Sequence, residues 1–222
     1  MAQFSRLAVY HKISAHPMVP FFYHADLQVC KRVVEACYFG GVRVFEFTNG
    51  GDFAHENFGE LVKWANVELP DLALGAGTVV DGATASLFIQ LGANFIASPV
   101  VKDDMAKICN RRKIAWLPGA ATPTEINYAE ELGAEIVKIF PGFVPGPAFA
   151  AAVKGHFPWT SIMPTDGVEP TEESLTNWFK AGVVCVGIGS QLFPKEVLDK
   201  ANYPAITEKV KDCFKIISLL KS

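Results

Sequence analysis

Blocks of apolar residues recur along the chain, and each is preceded by a helical stretch that ends in glycine. The clearest copies of this unit cover residues 39–47, 91–97, 132–138 and 181–187. A glycine just beyond a helix readily takes the left-handed conformation that ends the helix, so the next strand can begin at once. The pattern predicts repeated helix–glycine–strand units.

Weaker copies bring the number of apolar runs to eight, and amphipathic stretches separate them. The runs begin near Met18, Val42, Leu72, Phe95, Ile114, Glu135, Ser161 and Val183. Strands that are apolar on both faces and alternate with helices form parallel sheets covered by helices. Eight units in about 200 residues predict an α/β fold, a (β/α)8 TIM barrel, with an open doubly wound sheet as the alternative. No linker divides the chain, so we expect one domain over residues 1–222, with helical flanks near 3–16 and 204–220.

One of the amphipathic stretches carries a clear helix-start signal. Thr122 is followed by Pro123 and, three residues after the threonine, by Glu125. A threonine that caps the first turn, a proline at the first helical position and a returning glutamate form a capping box. We predict that a helix begins here.

Composition and charge narrow the class of protein and its partners. With 50% hydrophobic and 19% charged residues, the chain has enough apolar side chains for a substantial core. A net charge of −3 gives no basic surface for nucleic acid or an anionic membrane. No apolar run approaches the roughly 20 residues of a membrane span, and residues 1–6 lack the features of a signal peptide. We therefore expect neither nucleic acid nor membrane as a partner.

The cysteines and histidines do not indicate a metal or redox site. Five isolated cysteines without a C-x-x-C pair favour reduced thiols and a cytoplasmic protein. The five histidines lack ligand spacing, and Val80 stands where a dinucleotide fingerprint that starts at Gly75 needs its third glycine. We expect no metal and no nucleotide cofactor.

Lys138 lies within an apolar run, Ile136-Val137-Lys138-Ile139-Phe140. An ammonium group buried there loses most of its hydration, which favours the uncharged amine, and a free amine attacks carbonyl carbon. A lysine at a strand end that reaches solvent or pairs with a carboxylate is the structural alternative.

Polar and small residues cluster where the predicted strands end. The chemistry of such barrels is found at the carboxyl ends of the strands. Those ends carry Glu46, Thr78, Lys138, Thr165 and the pair Gly189-Ser190. An amine, a carboxylate, hydroxyl groups and glycine backbone suit covalent catalysis on an anionic substrate. Glu46 is either a proton-transfer group or the counter-ion of Lys138, the threonines are either functional or ordinary strand residues, and Gly189-Ser190 is either a phosphate seat or a plain turn.

Seven short stretches, in order along the chain, resemble the 2-keto-3-deoxy-6-phosphogluconate (KDPG) and 4-hydroxy-2-oxoglutarate (KHG) aldolase family. They are residues 40–48, 75–79, 97–99, Pro118-Gly119, 138–141, Pro164-Thr165 and Gly189-Ser190. They extend over nearly the whole chain, from about residue 10 to 200.

The resemblance implies a homotrimeric barrel and a class I aldolase that needs no cofactor because Lys138 itself forms an imine with the 2-keto carbon. Glu46 would move protons during carbinolamine formation and carbon–carbon cleavage. The substrate, a small keto acid, would contact Thr78 near its carboxylate and Thr165 along the channel, and Gly167 and Ser190 would lie at its distal phosphate. We name Phe140, Pro141, Asp166, Gly167, Gly189 and Ser190 as further substrate-binding residues.

Two positions depart from the family pattern. Gly50 stands where the family usually has an arginine that binds carboxylate, and Asp166 replaces the first glycine of a Pro-Thr-Gly-Gly stretch. Loss of a bidentate guanidinium contact weakens binding by about 1.5–3 kcal/mol. Asp166 either repels a phosphorylated substrate and accepts hydrogen bonds from the hydroxyl groups of an unphosphorylated sugar acid, or points away so that the backbone still binds phosphate. Arg43 does not replace the lost arginine, since it precedes Glu46 by three residues on the strand and faces the other way.

Three hypotheses follow. The first is a Schiff-base aldolase that releases pyruvate and an aldehyde from a 2-keto-3-deoxy sugar acid or from 4-hydroxy-2-oxoglutarate. The second is a phosphosugar isomerase or epimerase in which Lys138 is only an electrostatic anchor. The third is a non-catalytic relative that binds a sugar acid. Only the first requires a covalent imine on Lys138.

Overall fold

The structure is a computed structural model and describes residues 2–221. Its strands are β1 (Met18–Phe22), β2 (Val44–Thr48), β3 (Ala73–Gly77), β4 (Phe95–Ala97), β5 (Ala115–Leu117), β6 (Gly119–Ala120), β7 (Val137–Ile139), β8 (Ile162–Pro164) and β9 (Val186–Ile188). Its helices are α1 (Arg6–Ala15), α2 (Leu27–Phe39), α3 (Ala54–Glu68), α4 (Gly82–Gln90), α5 (Asp103–Arg112), α6 (Pro123–Glu131), α7 (Gly146–His156), α8 (Glu172–Lys180), α9 (Lys195–Asp199) and α10 (Tyr203–Lys221).

The strands form two parallel sheets. The larger sheet has the order β5-β4-β3-β2-β1-β9, and the smaller has the order β6-β7-β8. All of the paired strands run parallel. Helices alternate with the strands along the chain, as a parallel sheet requires for its crossovers. The predicted α/β class is therefore confirmed, and each of the eight predicted apolar runs contains a strand.

The prediction of a single eight-stranded TIM barrel is wrong, because the described strands form a six-stranded sheet and a separate three-stranded sheet. The chain passes from one sheet to the other at Pro118, which lies between β5 and β6 and has no N–H to donate to a ladder. Its carbonyl accepts from Lys138 N at 2.8 Å. At the opposite junction, between β8 and β9, the contact is a single bridge between Thr165 and Gly187 and one bond from Val184 N to Ile162 O.

The glycines of the repeated unit adopt the predicted left-handed conformation. Gly41, Gly92, Gly133 and Gly182 have φ of +112°, +105°, +87° and +86°. Each is the second residue after the end of a helix and precedes the next apolar run. These positions favour glycine because a side chain there would be strained.

Two groups of buried apolar residues hold the sheets in place. The larger group fills the space between the strands and the surrounding helices and includes Phe45, Phe47, Phe58, Phe88 and Trp116. A smaller group lies on the other side of the strands and joins α1 to several of them. Its members include Val9 and Ile13 of α1, with Val44, Phe95, Leu117 and Met163 from the strands. This apolar floor lies one layer below the polar residues described in the next subsection, since side chains on one face of a strand recur every second residue.

The flanking helices agree with the sequence prediction: α1 covers the inner apolar group, and α10 packs against α2 and α8. No helix within residues 2–221 has the length and apolar character needed to cross a membrane.

The capping box at the start of α6 is present and gives a test of local stability. The Thr122 side chain accepts from Glu125 N, and the Glu125 carboxylate accepts from Thr122 N at 3.0 Å and Ala121 N at 2.9 Å. We expect Thr122→Ala to lower the free energy of unfolding by about 1 kcal/mol, because the mutation removes the cap of one exposed helix. Thr124→Ala, two positions further on, is the control and should change stability by less than about 0.5 kcal/mol. Equal effects of the two changes in urea unfolding would contradict the role of the cap.

Candidate active site

Lys138 and Glu46 meet inside the molecule. Lys138 is the middle residue of β7 and Glu46 is the middle residue of β2, which belong to different sheets. Lys138 Nζ donates to Glu46 Oε2 at 3.3 Å. Their side chains are 4% and 5% exposed. The structure thus brings together the two residues that the sequence selected as a catalytic pair.

Burial gives this pair its chemical character. Two opposite charges at this distance attract each other, whereas loss of water penalises both charged forms. Transfer of one proton from the ammonium to the carboxylate would produce a neutral amine and a neutral acid. The pair can therefore generate a nucleophilic amine without any other proton acceptor. An amine held beside a proton acceptor is the arrangement that activates lysine for attack on carbonyl carbon.

Space for the Glu46 carboxylate depends on glycine. Glu46 lies beside Gly75 in the ladder of β2 and β3, and Thr48 lies beside Gly77. A Cβ added at Gly77 would overlap the carboxyl group of Glu46, and one added at Gly75 would overlap the ring of Phe95. The small residues at the end of β3 therefore allow the Glu46 side chain to extend across β3 while it remains buried.

Thr165 adds a hydroxyl group with no partner. It follows β8 directly, is 2% exposed, and forms a bridge to Gly187 of β9. Its Oγ1 is buried and has no hydrogen-bond partner within residues 2–221. A Cβ at Gly187 would lie 2.7 Å from that oxygen. A buried hydroxyl left unpaired in this way costs free energy and is available to a ligand.

The segment after Thr165 is tied to the loop after β7. Gly142 N donates to Thr165 O and Phe143 N donates to Asp166 O, both at 2.8 Å. Asp166 is half-buried and has φ +66°, and the next residue, Gly167, has φ +106° and lies against Phe143. The Asp166 carboxylate makes no ion pair and no hydrogen bond with the rest of the described chain.

Aromatic rings line the same end of the strands. The Phe140 ring lies 5.9 Å from Lys138 Nζ, and the peptide from Phe140 to Pro141 is cis. The Phe21 ring covers Gly189, since a Cβ at that glycine would overlap it. Ser190 is exposed, and its hydroxyl donates to Gln191 Oε1 at 3.4 Å.

Gly189 and Ser190 begin a turn. Leu192 N bonds to Gly189 O and Phe193 N bonds to Ser190 O, while the next helix, α9, starts only at Lys195. Gly189 and Ser190 thus lie in turns, and the phosphate seat proposed for them from the sequence stays a prediction.

Thr78 follows β3 at the same end of the strands but is exposed, with φ +55°. A threonine in this left-handed region is rare, because its β-branched side chain crowds the backbone. Because its side chain is exposed, Thr78 lies at the rim of the site, whereas Lys138, Glu46 and Thr165 are buried.

Position 50 is filled by a neighbour. A Cβ at Gly50 would lie 2.8 Å from Tyr23 Cδ1, and one at Gly51 would lie 2.7 Å from Tyr23 Oη. Tyr23 follows β1 and packs edge-to-face on Phe47. Arg43 directly precedes β2, where it donates to the carbonyls of Tyr38 and Val42 and stacks on Tyr38. As predicted, Arg43 takes no part in the site.

Sequence reasoning missed four residues that shape the site: Phe21, Tyr23, Gly77 and Gly187. The position of Gly77 at a strand end was visible, but its contact with Glu46 depends on the register of β2 and β3. Phe21 and Tyr23 lie in or just after the first apolar run, where nothing in the sequence distinguishes them from core residues.

The remaining ionisable groups do not extend the site. Within residues 2–221 no three His, Cys, Asp or Glu side chains are placed to hold a metal ion. All five cysteines are buried and unpaired. Burial raises the pKa of Cys30 and Cys213 to about 11 and that of Cys109 and Cys185 to about 12.

The chain is similar to known aldolases over most of its length. The sequence profile of the KDPG and KHG aldolase family matches residues 9–209. The 2-dehydro-3-deoxy-phosphogluconate aldolase of Pseudoalteromonas atlantica is 31% identical over 203 residues, which are 89% of this chain and 90% of that protein. The KHG/KDPG aldolase of Escherichia coli K12 is 28% identical over 201 residues, 90% of this chain and 92% of that protein.

A solved aldolase structure is also similar to this chain. The KDPG aldolase of Legionella pneumophila, described with pyruvate captured at low pH as a covalent carbinolamine intermediate, has a TM-score of 0.79 and 27% identity, over 90% of this chain and 95% of that one. Fold, ordered motifs and sequence profile agree, and the chain belongs to the KDPG and KHG aldolase family.

Proposed function

We propose that this protein is a class I aldolase, a lyase that cleaves a 2-keto-3-deoxy sugar acid to pyruvate and an aldehyde. The observation that carries the proposal is the buried pair of Lys138 Nζ and Glu46 Oε2, 3.3 Å apart. It is supported by family membership and by the covalent pyruvate intermediate described for the Legionella relative. KDPG and 4-hydroxy-2-oxoglutarate are the substrates that the names of the relatives suggest.

The first half of the reaction forms a covalent bond. The Lys138 ammonium group first gives a proton to Glu46, and neutral Nζ then attacks C2 of the keto acid while Glu46 passes that proton to the carbonyl oxygen. The oxygen becomes the carbinolamine hydroxyl group, and the nitrogen of the adduct loses a proton to Glu46. Glu46 returns a proton to the departing hydroxyl group, water leaves, and a protonated imine remains. This imine withdraws electrons from the neighbouring carbons, so no metal or organic cofactor is required.

The second half breaks the carbon–carbon bond. Glu46, directly or through one water, accepts the proton of the C4 hydroxyl group, and the electron pair of the C3–C4 bond moves into the enamine. The aldehyde departs, C3 takes up a proton, and water hydrolyses the imine to pyruvate and free Lys138. A single carboxylate serves every proton step because it is next to the nitrogen and shielded from bulk water.

The other residues would hold the substrate. In this assignment the unpaired Thr165 hydroxyl bonds the substrate in the channel, and Thr78 contacts the carboxylate from the rim. Phe140 and Pro141 form a wall beside Lys138, and Asp166, Gly167, Gly189 and Ser190 surround the distal end. An isomerase or a non-catalytic binding protein would need no imine at Lys138, so one labelling experiment separates the aldolase hypothesis from the other two.

We also propose that the chain is one domain and functions as a cytoplasmic homotrimer. Four partly exposed apolar side chains, Val80, Leu87, Val100 and Tyr128, lie on consecutive units and support an interface there. The five unpaired buried cysteines are consistent with a reducing compartment.

Reduction with borohydride in the presence of pyruvate tests the imine. We expect the protein to gain the mass of pyruvic acid less one oxygen atom, with the modification on the peptide that contains Lys138. Lys138→Met should abolish the gain, whereas Lys107→Met, on the exposed part of α5, should not. Because Lys138→Met leaves Glu46 buried without its partner, the fold of this variant is checked by circular dichroism. Labelling elsewhere than Lys138 would refute the assigned nucleophile.

Glu46→Gln tests the proton-transfer role. The amide keeps the shape of the side chain but accepts no proton, so we expect turnover to fall by about 10²–10⁴-fold. Glu35→Gln, which removes a half-buried carboxylate of α2 outside the site, is the control and should leave kcat unchanged. An unaltered rate for Glu46→Gln would make Glu46 only the counter-ion of Lys138.

The trimer is tested by the mass of the protein in solution. Sedimentation equilibrium should give three times the chain mass of 24.2 kDa. Val100→Asp places a charge among the four apolar side chains and should shift the mass towards that of the single chain. A wild-type mass of one chain would contradict the proposal.

A further inference from the structure

The loops at the carboxyl ends of the strands carry an excess of negative charge. These loops are residues 23–26, 49–53, 78–81, 98–102, 121–122, 140–145, 165–171 and 189–194. Together they contain five carboxylates and one ammonium group: Asp26, Asp52, Asp81, Asp166, Glu169 and Lys102. Hydrogen bonds from Thr84 hold the pKa of Asp81 below its usual value, so this residue stays ionised. A substrate that enters here meets a negative field, which disfavours an anionic distal group.

Asp166 is half-buried and lies next to the buried part of the site. It follows Thr165, whose unpaired hydroxyl is inside the site, and no cation within residues 2–221 pairs with it. Its φ of +66° is a conformation that Asp tolerates, so the residue is accommodated without an ion pair. A free carboxylate accepts hydrogen bonds from hydroxyl groups and repels phosphate.

The turn after β9, at the same end of the strands, is poorly suited to an anion. The Phe21 ring covers Gly189, and Gly189 to Phe193 form turns. Anions bind well where a longer helix presents free N–H groups, but here the following helix, α9, has only five residues and begins at Lys195. The face of Phe21 suits the C–H surface of a carbohydrate chain better than a phosphate.

We propose that the distal end of the substrate is an uncharged, hydroxylated carbon chain, and that Asp166 and Phe21 determine this preference over a phosphorylated one. The inference rests on the proposed aldolase function and names the substrate class of that same site. Asp166 accepts hydrogen bonds from the distal hydroxyl groups, and Phe21 packs against the carbon chain. The charge of the substrate is then confined to the carboxylate next to the imine.

A matched pair of aldehydes tests the preference in the condensation direction. With pyruvate as the donor, kcat/KM is measured for D-glyceraldehyde and for D-glyceraldehyde 3-phosphate, which differ only in the phosphate. We expect kcat/KM to be about tenfold or more higher for the uncharged aldehyde. Added salt should raise kcat/KM for the phosphorylated aldehyde, because screening weakens the repulsion.

Asp166→Asn removes the charge, keeps the shape and tolerates the same backbone conformation. Asp166→Asn should reduce the ratio of the two kcat/KM values, uncharged over phosphorylated aldehyde, by several-fold. Glu208→Gln on the exposed face of α10 changes the net charge equally and should leave the ratio as in the wild type. A pyruvate adduct on Lys138 together with higher kcat/KM for the phosphorylated aldehyde would overturn this inference alone. Absence of the adduct would overturn the aldolase function and this inference together.

Discussion

The contact between Lys138 and Glu46 is the interaction on which the rest of the site depends. Two groups of opposite charge lie 3.3 Å apart and almost out of reach of solvent. Removal of one partner from such a pair leaves a buried charge and costs about 3–5 kcal/mol, so the pair constrains its surroundings. The two strands that carry it belong to different sheets, and the chain must therefore hold both sheets in a fixed relation. Pro118 contributes directly, since it separates the sheets and still accepts a hydrogen bond from the backbone of Lys138.

The residues around the pair are apolar below it and glycine beside it. Below it, α1 and the inner apolar residues exclude water. Beside it, Gly77 leaves the room that the Glu46 carboxylate needs, and Gly187 does the same for the Thr165 hydroxyl. Reactive groups are thereby held by close packing on strands, which fixes their positions more tightly than loops would.

The sequence was sufficient to predict what depends on local pattern. Apolar periodicity located the strands, glycines at helix ends marked the turns, and Lys138 and Glu46 stood out as ionisable residues in apolar runs. It did not reveal the division into two sheets, because strand pairing is decided by long-range contacts such as those around Pro118. Nor did it reveal Phe21 and Tyr23, since whether an aromatic ring faces a core or a glycine of another strand depends on register and on the turn after the strand.

Tyr23 and Gly50 illustrate how two positions become dependent on each other. The tyrosine ring occupies the volume next to position 50, and a Cβ there would lie 2.8 Å from the ring. Any larger residue at position 50 therefore requires the ring to move, and loss of the ring alone leaves Phe47 without its edge-to-face neighbour. The effects of substitutions at these two sites are coupled, and the order in which they arise during evolution matters. An arginine at position 50 therefore requires either a shift of the Tyr23 ring or a smaller residue at position 23.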